Sequence, residues 1–82
     1  MQITLRQFEL IETLHDRLMR DPFETTVDPR EWIKTSNRLF DACADAIGFP
    51  AANDFASAMD CAAAILCTAL ISESAVLDEE AA

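Results

Sequence analysis

The chain contains few residues whose type and spacing could do chemistry. His15 is the sole histidine, and Glu12 stands three positions before it. Glu-x-x-His is the spacing that puts a carboxylate and an imidazole on one helix face in di-iron carboxylate bundles. Such a site also needs bridging carboxylates from other helices. Asp60 is the one inward acid that the C-terminal half offers, and aspartate is short. A metal-binding bundle built on Glu12 and His15 is thus a lesser reading. His15 falls between Phe8 and Ile11 on an apolar face, so it reads first as a buried or interfacial histidine that could make association depend on pH.

The other reactive types are equally isolated. Cys61 and Cys67 are six apart and cannot share a helix face as a metal pair would. No lysine or arginine adjoins them to lower a thiol pKa. Cys43, Cys61 and Cys67 sit among alanines and leucines, where cysteine serves as a small apolar residue. Their odd number, and an N-terminus "MQITLRQFEL" without a basic-then-apolar leader pattern, point to a reducing, cytoplasmic setting. A single glycine leaves no phosphate-cradling loop. One histidine on an apolar face supports no Ser/His/Asp arrangement. The expectation is a protein that is not an enzyme and carries no cofactor.

Three helices must position whatever surface does the work. Thr4 and Gln7 form a capping box, and Ile3 and Phe8 hold the staple positions. Leu5, Phe8, Ile11, Leu14 and Leu18 then mark one apolar face, with Arg6, Glu9, Thr13, Asp16 and Arg20 opposite. Asp21-Pro22 ends this helix. Asp28, Pro29 and Glu31 start the second, with Val27 and Trp32 at the staple positions. Its inner stripe is Trp32, Ile33, Ser36, Leu39, Phe40, Cys43 and Ile47; Lys34, Arg38, Asp41 and Asp45 face out. Gly48 stands where the helix end requires a positive φ. Asn53 and Asp54 suit the start of the third. No stretch alternates like a strand. The expected fold is all-α, a compact bundle of three main helices at about 4–20, 29–47 and 53–72. A short C-terminal helical extension completes a single domain over 1–77, and 78–82 form an acidic tail. Phe23, in the eight-residue connection between the first two helices, either folds back on the bundle or stands out as an anchor.

The segment "FASAMDCAAAILCTALI", residues 55–71, has Asp60 as its only charge. It is shorter than the roughly 20 residues a spanning helix needs and is rich in alanine, so a membrane span is not expected. A helix apolar nearly all round needs burial nearly all round, more than two partner helices supply. A second copy would supply it. That reading predicts a homodimer whose interface includes Phe55, Met59, Ala62, Leu66 and Leu70.

The formal net charge is −9, rising toward the C-terminus. Without clustered Lys/Arg, direct nucleic-acid binding is disfavoured. A protein partner with a basic surface fits better, met by Phe23, Asp41, Asp45, Asp78, Glu79 and Glu80. The function expected is a non-enzymatic protein–protein interaction module, a homodimeric adaptor or an inhibitor of another protein. In size and acidity the chain resembles the small accessory inhibitors of phages and mobile elements, including anti-CRISPR and anti-restriction proteins. That resemblance of profile implies inhibition of a host defence or regulatory protein. Because the acids form no long stripe on a folded face, surface complementarity fits better than mimicry of phosphates.

Overall fold

A computed structural model describes residues 3–71 and the pair 76–77. It is an all-α bundle, in which three main helices pack against one another. Helix α1 spans Leu5–Arg20, α2 spans Pro29–Ile47, the short α3 spans Phe49–Asn53, and α4 spans Ala58–Ile71. Two residues at each end of the described chain, β1 (Ile3–Thr4) and β2 (Val76–Leu77), pair in parallel, Ile3 with Val76 and Thr4 with Leu77.

The starts of α1 and α2 follow from local chemistry. The Gln7 amide donates to Thr4 Oγ1 at 3.0 Å and the Thr4 amide donates to Gln7 Oε1 at 2.9 Å, closing the capping box. Asp28 Oδ1 accepts from the Arg30 amide at 3.1 Å, ahead of Pro29. The predicted staple of Val27 on Trp32 does not form, and Val27 is fully exposed. Phe23 takes that place, packing edge-on against the Trp32 ring with centroids 5.4 Å apart. An aromatic edge on an indole face gains both area and quadrupole attraction, which a valine cannot match.

The third predicted helix is the main correction. Instead of one helix over 53–72 there are two, α3 and α4, separated by a turn at 54–57. Gly48 adopts φ +92°, a backbone region closed to most side chains, and so ends α2. The chain turns at once into α3, whose first bond runs from the Ala52 amide to the Gly48 carbonyl at 3.0 Å. Asn53 therefore ends a helix rather than capping one. Ser57 is the real cap: its Oγ accepts from the Asp60 amide at 3.1 Å and its carbonyl from the Cys61 amide at 3.1 Å. The proposed helical extension to Leu77 is likewise replaced, at Val76–Leu77, by the strand pairing. The acidic tail at 78–82 lies outside the described residues.

The core lies where α1, α2 and α4 meet. Ile11, Leu14 and Leu18 of α1, Leu39, Ala42 and Cys43 of α2, and Cys61, Ala62 and Ile65 of α4 are all buried, with Ile3 and Ala52 at its edges. Thr35 joins them, with its hydroxyl donating to the Glu31 carbonyl at 3.0 Å. Ile33 does not, being about half exposed at 47%. Nearly half of these buried apolar side chains are alanine or cysteine, so the helices approach closely and added volume has nowhere to go.

Gly48→Ala should lower the unfolding free energy by about 1–3 kcal/mol, because alanine must enter the same backbone region. Urea unfolding followed by circular dichroism measures this, and an unshifted midpoint would contradict the assignment.

Candidate functional site

Glu12 is exposed and His15 half-buried on adjoining turns of α1. Among the described residues, no group of three or more His, Cys, Asp or Glu side chains could hold a metal ion. The spacing that drew attention in sequence thus acquires no third ligand there.

The cysteines separate into two kinds. Cys43 on α2 and Cys61 on α4 are fully buried and neighbour each other where the two helices pack, while Cys67 is exposed. Burial, and then the neighbouring Cys61, push the Cys43 thiol from 9.0 up to about 12. Burial also raises Cys61, partly offset by the neighbouring Cys43. This pair cannot be read from local spacing, because its members are brought together only by the packing of α2 on α4.

The residues predicted to face a second copy end up in different places. Ala62 is fully buried in the chain's own core, so it is not open to a partner. Met59 and Leu66 are half-buried and pack against that core. Phe55 lies in the turn before α4 and not on the helix, 38% exposed. The Leu70 side chain lies outside the described residues. Among the side chains described, α4 exposes Asp60, Ala63, Cys67 and Thr68, none of them a large apolar residue. No helix among the described residues is long and apolar enough to cross a membrane.

The residues predicted to meet a partner have a clearer setting. Asp41 and Asp45 stand one turn apart on the exposed side of α2, at the rim of a groove between α1 and α2. The groove has a volume of about 400 Å³ and is lined by Leu10, Leu14, Arg38, Asp41, Ala42 and Asp45. Leu14 and Ala42 are buried beneath it, and Leu10 is exposed. Gln7 Nε2 donates to the Asp45 carbonyl at 3.4 Å and to its carboxylate at 3.5 Å, which ties the start of α1 to the same rim. No ion pair between described residues engages Arg38, Asp41 or Asp45. Leu10 escaped the sequence reading because it lies off the apolar stripe of α1. Its departure from that stripe is the signal that could have found it.

Phe23 is 46% exposed and held by Trp32, so it both folds back and presents a face. Beneath Trp32 a smaller cleft of about 140 Å³ is lined by residues including Arg17, Asp21, Glu31 and Thr35. The Trp32 indole N–H is buried without a hydrogen-bond partner. Asp78, Glu79 and Glu80 lie outside the described residues.

The chain matches no protein-family profile, and no curated protein or solved structure matches it.

Thiol labelling of the folded protein at pH 8 should modify Cys67 alone, with Cys43 and Cys61 reacting only on unfolding. Stability should also fall as pH rises above about 9. There the unfolded Cys43 ionises, while the folded thiol stays neutral until about 12. Three equally fast thiols, or stability flat to pH 11, would contradict the buried pair.

Proposed function

We propose that the chain is a non-enzymatic protein–protein interaction module, an adaptor or inhibitor, and that the α1–α2 groove is its docking site. The observation that carries this reading is the groove itself. It combines an exposed apolar side chain, Leu10, a floor of Leu14 and Ala42, and two carboxylates with no cationic partner among the described residues. An apolar anchor surrounded by charge of one dominant sign gives both affinity and register. The matching surface inserts an apolar side chain or an aliphatic stem over Leu10 and presents Lys or Arg to Asp41 and Asp45. The acidic balance of the whole chain favours such a basic partner and disfavours phosphate backbones.

The test compares capture of partners from cell lysate by the tagged wild-type chain and by groove variants, quantified by mass spectrometry. Leu10→Glu, or Asp41→Asn with Asp45→Asn, should reduce each specific partner by about tenfold or more, the effect of losing a central contact. Cys67→Ser, on the exposed face of α4, should leave capture unchanged. Equal capture by wild type and groove variants, or loss only in the α4 variant, would overturn the groove as the docking site.

A further inference from the structure

The charges on the exposed ridge of α2 are ordered along its length. Arg30, Lys34 and Arg38 recur every four residues in its first half, and Asp41 and Asp45 follow in the second. All five are exposed and lie along one side of the helix. This order runs against the helix macrodipole, which favours acids near the N-terminus and cations near the C-terminus. The last turn of α2 carries no basic residue. Arg30 and Lys34 make only exposed local pairs, with Asp28 at 3.6 Å and Glu31 at 3.4 Å, contacts that exchange readily. Arg38, Asp41 and Asp45 make no ion pair with another described residue.

We infer that the occupant of this face is a second copy of the chain, docked with the two α2 helices antiparallel. This rests on the α1–α2 groove being a docking site and names its partner. Four of the ridge's five charged residues meet an opposite charge in one register, with Arg38 beside its own copy at the axis. A two-fold axis passing between Asn37 and Arg38 sets Arg30 of one copy opposite Asp45 of the other. The same register sets Lys34 opposite Asp41, and symmetry repeats both pairs. Four intermolecular ion pairs thus come from one helix. The stems of Arg30 and Lys34 that reach Asp45 and Asp41 must then pass over Leu10 and Ala42, which line the groove beside those carboxylates. Long basic side chains cover apolar surface in this way while their charges stay at the rim.

Among the described residues, this face carries charges of both signs in an order that a second copy can match. The chain carries −9 in all, yet this ridge holds three cations against two acids. The net charge opposes unspecific association, while the opposite charges at the two ends of this ridge attract in the stated register. Antiparallel α2 helices also set their dipoles in opposition, which favours the same orientation. The exposed side of α4 carries Asp60 as its only charge and so offers no pair of opposite signs to match.

Sedimentation velocity over a concentration series tests this on the full-length chain. The wild type should show a monomer–dimer equilibrium. Raising salt from about 50 to about 500 mM should weaken it by about tenfold or more, because exposed pairs are screened. Asp41→Lys with Asp45→Lys makes the ridge all basic, and Arg30→Glu with Lys34→Glu makes it acidic at every position but Arg38. Each double variant alone should be monomeric with unchanged helicity, and an equal mixture should form a heterodimer. The wild-type salt series needs no variant to fold. A wild type that stays monomeric, a dimer indifferent to salt, or double variants that dimerise alone would overturn the inference. A monomeric wild type whose captured partners still depend on Leu10 would overturn self-docking and leave the groove reading standing.

Discussion

The close approach of α2 to its neighbours is the constraint on which the structure depends. Helix α2 packs against α1, α3 and α4, and it does so through Leu39, Ala42 and Cys43. Opposite them stand Cys61, Ala62 and Ile65 of α4 and the Ile11, Leu14 and Leu18 face of α1. A chain of 82 residues has little apolar surface to bury, so it gains from contact density more than from side-chain size. The two central cysteines act in this packing as small apolar groups, and their burial keeps both thiols protonated. With one side of α2 committed to three neighbouring helices, its other side is left as a long exposed ridge.

Much of this was legible in the sequence because it rests on local chemistry. Thr4 with Gln7 and Asp28 with Pro29 each fix a helix start within a few residues, and Gly48 fixes a stop. The inner face of α1 follows from the spacing of Ile11, Leu14 and Leu18. What could not be read locally depends on choices between equivalent signals. Asn53 and Ser57 are both good caps, and only the turn after α3 selects Ser57. Val27 and Phe23 both could cover Trp32, and the larger ring prevails. Ile33 has the period of the inner stripe but lies at its edge, while Thr35 enters the core because its hydroxyl is satisfied one turn back.

The proposed docking site was legible only in part. Asp41 and Asp45 face solvent as their spacing requires, and the groove beside them is lined on the α1 side by Leu10 and Leu14. The α4 helix, whose unbroken apolarity suggested a surface made for a second copy, instead spends its large described residues on this chain's own core. Alanine and cysteine occupy much of what remains exposed, and both tolerate water at small cost. On the proposed reading, recognition moves from the most apolar helix to the most charge-ordered one. Apolarity along a helix measures how much must be buried, whereas ordered charge specifies what can be met and in which register.

The proposal that two copies meet through the outer ridge of α2 is tested most directly by amide chemical shifts of isotope-labelled protein at low and high concentration. The account predicts concentration-dependent changes confined to Leu10 and to the ridge from Arg30 to Asp45, fading with added salt. Changes confined to the exposed residues of α4, such as Ala63 and Cys67, or spectra identical at all concentrations, would contradict it.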